Sequence, residues 1–129
     1  MSLQDAQIFA KKMIARSRFL SERYIDLSPW TDEEGSLLPT ALMGGFGYDI
    51  ANEFAEMSHS ELAELVALIE EGLTSDDEYL NTAVATGLIE AVVNLAEQKE
   101  GLWPRIDAAL GPEARAYAEA YRNAPFMNR

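Results

Sequence analysis

The sequence predicts an all-α protein: a single-domain bundle of five or six helices around a central antiparallel helical hairpin. Three observations support this. Apolar residues recur at helical spacing, residues typical of helix caps stand at the starts of the two longest patterns, and a two-residue linker separates those patterns. At 129 residues, 48% of them hydrophobic, the chain is long enough to bury a core without disulfides or metals. We therefore treat residues 1–129 as one helical domain.

The first arm of the predicted hairpin covers residues 59–72. Ser58 and Glu61 have the spacing of a capping box, and Gly72 closes the pattern. Between them the apolar residues follow the i, i+3, i+4, i+7 rule of an amphipathic helix. These residues are Leu62, Leu65, Val66 and Ile69.

The second arm, residues 76–99, is the longest helical pattern in the chain. Ser75 and Glu78 form a second capping box, and Gly101 is a candidate C-cap. Its second half is apolar nearly all round, which predicts burial on most sides. Because only two residues lie between Gly72 and Ser75, the two arms must fold back as an antiparallel hairpin.

The segments before the hairpin are less regular. Ser2 precedes an amphipathic helix that we expect to reach about Tyr24, and its basic face could neutralise part of the acidic middle of the chain. Residues 25–36 predict a long loop. Residues 37–57 predict a short helical turn after Pro39, then a glycine cluster, then a helix from about Tyr48. The glycines, which indicate close helix packing or a kink and not a dinucleotide loop, are Gly44, Gly45 and Gly47.

After the hairpin, Pro104 lies near the start of a short helix that ends at Gly111. A last helix begins at Pro112 and is stopped by Pro125. We expect it to turn three side chains towards the body of the protein. These are Tyr117, Ala120 and Tyr121.

The net charge of -12 is distributed unevenly along the chain. Residues 1–24 carry +3, residues 25–100 carry -16 and residues 101–129 carry +1, and no Lys or Arg occurs between Arg23 and Lys99. Such a surface repels nucleic acids and anionic membranes and attracts a basic partner, although acidity also serves simple solubility. With no cysteine, no signal-peptide pattern and no apolar run near 18 residues, we expect a soluble cytoplasmic protein.

No residue pattern indicates catalysis, a cofactor or a metal site. Glu56 and His59 match Glu-x-x-His, but a di-iron bundle needs two such motifs and this chain has one histidine. Glu90, beside Thr86 and Asn94 on the central helix, could belong to a structural hydrogen-bond network or form the floor of a groove. We therefore expect a protein that is not an enzyme.

One stretch, EEGLTSDDEYLNTAVATGLIEAVVNL, resembles the small acidic helical immunity proteins of bacterial polymorphic-toxin and contact-dependent growth-inhibition systems. The resemblance covers roughly residues 58–100 and includes a Gly-x-x-Glu from Gly87 to Glu90. It implies an antitoxin that binds a secreted toxin domain, commonly a basic nuclease, and blocks its active site or substrate groove. The alternatives are a helical scaffold or adaptor without a toxin partner and an enzyme of a type that the sequence does not reveal.

Two acidic clusters are the best candidates for contact with such a partner. One lies in the loop of residues 25–36 and the other at the turn of the hairpin, and an aromatic residue adjoins each as a possible anchor. The alternative for the tryptophan is that it folds back over the core, and for the second cluster that it stabilises its own helix terminus. The candidate residues are Trp30, Asp32, Glu33, Glu34, Asp76, Asp77, Glu78 and Tyr79.

Overall fold

The computed structural model describes residues 3–124 and confirms the all-α prediction. Within them no strand forms apart from an isolated bridge between Thr31 and Leu37. Ser2 and Pro125, which were expected to flank the first and last helices, lie outside the described residues. The seven α-helices of the described part are α1 (Leu3–Arg16), α2 (Arg18–Arg23), α3 (Pro39–Asn52), α4 (His59–Leu73), α5 (Glu78–Glu97), α6 (Leu102–Ala109) and α7 (Pro112–Arg122).

The central contact of the bundle is between α3 and α5, which run side by side in the same direction. Thr40, in the first turn of α3, borders Thr82 near the start of α5. Just beyond the end of α5, Lys99 Nζ donates a hydrogen bond of 2.9 Å to Asn52 Oδ1 at the end of α3. The backbones approach so closely that a Cβ added to Gly87 would lie 2.5 Å from the Thr40 carbonyl oxygen.

This contact confirms close helix packing as the role of the glycine cluster, but it corrects the predicted break. Gly44, Gly45 and Gly47 lie inside one continuous helix, α3, and not between a turn and a later helix. Each glycine costs a helix about 1 kcal/mol relative to alanine. Burial of Leu42, Phe46 and other apolar side chains of α3 in the core offsets that cost.

The hairpin of α4 and α5 is antiparallel, as predicted. Gly72 at the end of α4 packs against Val84 near the start of α5, while Leu65 and Val92 line one small apolar cavity further along the pair. Ser58 caps α4 by accepting a hydrogen bond of 3.1 Å from the N–H of Glu61, as the capping box requires.

The second predicted cap is wrong by two residues, because α5 begins after Asp77 and not after Ser75. Asp77 Oδ1 accepts the N–H of Tyr79 at 2.9 Å, and Ser75 instead accepts the N–H of Asp77 at 3.0 Å. At the other end α5 stops at Glu97, and Gly101, with a φ of 78°, leads directly into α6. The left-handed backbone conformation there favours glycine, as it also does at Gly35 in the loop between α2 and α3.

The middle of α5, Ala83–Ile89, is π-helical where it meets α3. By length and composition α5 could cross a membrane, because its most apolar 18-residue window has a mean hydropathy of 1.2. This corrects the expectation that no apolar stretch approaches 18 residues. The same window is 61% buried inside the protein, so α5 also has the burial of a core helix.

Two helices differ from their predicted extent or face. The first predicted helix breaks at Ser17, a buried N-cap whose Oγ accepts the N–H of Leu20 at 3.3 Å and donates to Glu61 Oε2 at 2.7 Å. In α7, Ala114 and Ala118 are fully buried, whereas Ala120 is exposed and does not face the body. Ser17 thus begins a new helix by a local cap and also joins it to α4, while Tyr117 and Tyr121 of α7 are partly buried beside the two alanines.

Candidate partner-binding site

The first acidic cluster, Asp32, Glu33 and Glu34, lies on an exposed turn closed by the bridge between Thr31 and Leu37. Asp32 Oδ1 accepts two backbone N–H groups, those of Glu34 and Ser36, each at 2.9 Å. These bonds fix the Asp32 carboxylate against its own turn, while Glu33 and Glu34 project into solvent. The turn therefore presents three carboxylates on a short, ordered support.

Trp30 ends a short 3-10 helix, Ser28–Trp30, and is half-buried. Its ring lies 5.8 Å from that of Tyr24 and over Gly45 of α3, where an added Cβ would come within 2.8 Å of it. The tryptophan thus folds back against the core, which was the predicted alternative to its role as a partner anchor. Part of its surface still remains accessible beside the acidic turn.

The second acidic cluster lines an open groove of about 970 Å³ at the hairpin turn. Asp76 and Glu78 are exposed, whereas Asp77 and Tyr79 are half-buried. The groove also reaches Asp5 of α1, Thr40 of α3 and Thr82 of α5. The starts of three helices therefore converge on this groove.

Asp5 and Asp77 interact inside this groove. A hydrogen bond to Asp77 raises the pKa of Asp5 above its ordinary value. Partial burial acts to raise the pKa of Asp77, but the hydrogen bonds from Asp5 and from the backbone N–H of Tyr79 outweigh it and lower that pKa. The interaction thus shifts the pKa values of the two carboxyl groups in opposite directions.

Both acidic clusters border the same end of α3. Leu38, the residue before α3, donates its N–H to the Trp30 carbonyl oxygen at 2.8 Å. Thr40, two residues later, lines the groove of Asp76 and Asp77. The structure thus brings the two predicted clusters to neighbouring positions around the start of one helix.

The remaining acidic side chains of the middle segment are partly neutralised from within. Lys12 pairs with Glu71 at 3.5 Å and Arg16 with Glu64 at 3.6 Å. These pairs confirm that the basic face of the first helix neutralises part of the acidic middle segment. Arg23 pairs with Asp49 of α3 at 2.8 Å.

None of the ion pairs among residues 3–124 involves the members of either cluster. Lys11 borders the turn of residues 31–37 without pairing to it. Within the described part of the chain, ion pairs therefore do not neutralise the two clusters as they do Glu64, Glu71 and Asp49.

Two other candidates have structural positions. Glu90 Oε2 accepts the hydroxyl of Tyr117 at 2.6 Å, which ties α5 to α7 and favours the network over the groove. Glu56 ends a 3-10 turn and His59 begins α4 after the Ser58 cap, so the two do not share a helical face. Across residues 3–124 no group of three or more His, Asp or Glu side chains is arranged so that it could hold a metal ion.

Sequence reasoning missed three residues at this end of the molecule. Asp5 joins the groove from α1, and Leu38 and Tyr48 are exposed beside Trp30 and on the outer face of α3. A continuous helix through the glycine cluster would have placed Tyr48 on the same face as Gly45, one turn away. Nothing in the sequence connected Asp5 with the hairpin turn.

Comparison of the chain with protein-family models, with curated proteins and with solved structures gave no match.

Proposed function

We propose that this protein is an immunity protein, a non-enzymatic antitoxin that binds a basic toxin domain and blocks it. The observation that carries the proposal is the continuous acidic segment without a cation between Arg23 and Lys99. Its two clusters lack ion pairs among the described residues, whereas several acidic neighbours are paired to the first helices. Unneutralised carboxylates at one end of a small bundle suit the capture of a basic surface.

The inhibition would be electrostatic and steric. A nuclease presents Lys and Arg side chains to the phosphates of its substrate, and a protein that places carboxylates against them occupies the same groove. Trp30 and Tyr79, half-buried beside the two clusters, supply aromatic area for the contact. Long-range attraction accelerates encounter, and the aromatic contacts slow dissociation.

The test is recovery of a partner from the cells that make this protein, with the tagged full chain as bait at low and high salt. We expect a toxin C-terminal domain to be retained at low salt and lost progressively as salt rises. Recovery of a set of complex subunits without a toxin domain would instead establish the scaffold alternative.

Charge reversal then locates the contact on the recovered toxin. Glu33→Lys with Glu34→Lys, or Asp76→Lys with Glu78→Lys, should lower the association rate about tenfold at low salt. Glu100→Lys with Glu119→Lys is the matched control, because these exposed residues lie outside both clusters and give the same change in net charge. If charge reversal in either cluster and a change of ionic strength both leave the association rate unchanged, the electrostatic mechanism is excluded.

A further inference from the structure

Exposed apolar side chains collect around Trp30. Among residues 3–124 the large apolar side chains that remain exposed are Ile8, Ile25, Leu38 and Tyr48, at 46%, 83%, 41% and 52%. Leu38 is hydrogen-bonded to the Trp30 backbone, and Tyr48 lies one helical turn beyond Gly45, which Trp30 covers. Ile25 follows Tyr24, whose ring contacts that of Trp30. Leu38 and Tyr48 therefore lie near Trp30 in the fold, and Ile25 is linked to it only through Tyr24.

The outer face of α3 explains this exposure. Gly45 and Tyr48 lie opposite the buried Phe46 and Ile50 on the helix. Helical side chains lean towards the helix N-terminus, which from Tyr48 is the direction of Gly45 and of the Trp30 ring that covers it. We call the surface of Trp30, Leu38 and Tyr48 the Trp30 face.

Carboxylates border the Trp30 face. Asp26 accepts the Ser28 N–H at 2.9 Å and also the Ser28 hydroxyl, and Asp32 is held by two N–H groups of its own turn. Neither forms an ion pair among the described residues. The two carboxylates make this part of the border negative, although Lys11 lies beside the turn that carries Asp32. Local hydrogen bonds hold both carboxylates in place without a partner.

We propose that the Trp30 face docks the basic surface of a partner protein, with Lys or Arg side chains lying across Tyr48 and Leu38 and reaching Asp26 and Asp32. The proposal rests on the proposed function and names the centre of its interface. Basic side chains combine an aliphatic stem with a charged end, which matches an aromatic centre within an acidic border.

Charge complementarity argues against a second copy of this chain as the occupant of the Trp30 face. A symmetric contact between two copies would place the same acidic turns against each other.

The hairpin groove is the competing site for a basic partner. At the hairpin groove Asp76 and Glu78 are exposed, but the neighbouring Tyr79 is half-buried, so that site lacks an exposed apolar centre. Interface energy concentrates in an apolar centre with a polar border, which favours the Trp30 face over the groove.

The test uses the full chain and a hexa-arginine peptide, followed by amide and indole NMR signals. We expect the peptide to shift the Trp30 indole N–H and the amides of Leu38 and Tyr48 more than those of Asp76 and Tyr79. Tyr48→Ser and Leu38→Ser should each weaken binding about fivefold to tenfold without changing charge. Ile8→Ser is the matched control, since it removes an equally exposed apolar side chain from α1 and should leave affinity unchanged.

Largest shifts at residues 76–79, or full affinity in both serine variants, would overturn the proposal.

The experiments distinguish failure of the docking surface from failure of the proposed function. If a toxin domain is recovered and both serine variants bind it as the natural chain does, the function stands and the Trp30 face is wrong. If the peptide maps to the Trp30 face but no toxin is recovered, the docking surface stands and the function is wrong.

Discussion

Gly47 and Leu88 are in direct backbone contact across the interface of α3 and α5. A Cβ added to Gly47 would overlap the carbonyl oxygen of Leu88 and come within 3.0 Å of the Ala91 Cβ. Gly47 and Leu88 both lie in buried parts of their helices, so neither backbone can shift without moving the helix around it. Gly47, together with Gly87 on the facing helix, therefore sets the distance between the two central helices.

Replacing Gly47 by alanine should separate these helices. We expect Gly47→Ala to lower the free energy of unfolding by about 1 to 3 kcal/mol, the usual cost of overpacking a core. Urea unfolding followed by circular dichroism measures the change.

Gly44→Ala is the matched control in the same helix. Its Cβ would meet the Gly87 carbonyl oxygen at 3.8 Å, an ordinary contact. With no clash, the higher helix propensity of alanine should raise stability by up to about 1 kcal/mol. Equal effects at Gly44 and Gly47 would contradict the close approach.

Ser17 should matter more than an ordinary surface serine because its hydroxyl serves two elements. It caps α2 and donates to Glu61 of α4 at 2.7 Å while only 2% exposed. Ser17→Ala should cost about 1 to 2 kcal/mol of unfolding free energy, measured by urea titration. Ser60→Ala, an exposed change near the start of α4, should stay within about 0.5 kcal/mol.

These two contacts show which parts of the fold the sequence could reveal. The cap at Ser58 and the apolar spacing of α4 are local, so the sequence predicted that helix almost to its ends. The continuity of α3 depends on a partner helix that accepts its glycines, and the break at Ser17 depends on Glu61, 44 residues away. Local pattern holds no information on either distant partner.

The candidate site likewise has one part that the sequence could predict and one part that it could not. Composition alone located both acidic clusters, because a 75-residue gap in Lys and Arg is visible in the sequence. The exposure of Tyr48 and Leu38 was missed because it follows from the register of α3, which the glycines obscured. Charge could be predicted from the sequence, and the apolar centre beside it required the fold.

Tyr24 should make the protein sensitive to high pH. Burial and a hydrogen bond of 2.6 Å to Asp49 raise its pKa above the ordinary value of about 10. A raised folded-state pKa gives stability that is complete below the unfolded pKa and is lost as the pH rises above it, because the unfolded chain releases the proton first.

We therefore expect the unfolding free energy to fall above about pH 10, by up to about 1.4 kcal/mol per pH unit for each such tyrosine. Tyr24→Phe should lose about 1 kcal/mol at pH 7 and show a shallower alkaline decline. Thermal unfolding between pH 8 and pH 11 distinguishes the two slopes, and parallel curves would show that Tyr24 does not contribute.

Glu90 provides the last prediction, because its two interpretations differ in what a variant changes. If the carboxylate is structural, Tyr117→Phe removes the bond of 2.6 Å between α5 and α7 and should cost about 0.5 to 1.5 kcal/mol of unfolding free energy. Affinity for hexa-arginine or for a recovered toxin should stay unchanged. Tyr121→Phe, which removes the exposed 3.1 Å bond to Asn94, is the control with a smaller expected loss. Glu90→Gln keeps an acceptor for Tyr117, so it should perturb stability less than Tyr117→Phe does. A fall in partner affinity at full stability in that variant would instead make Glu90 the floor of a binding groove.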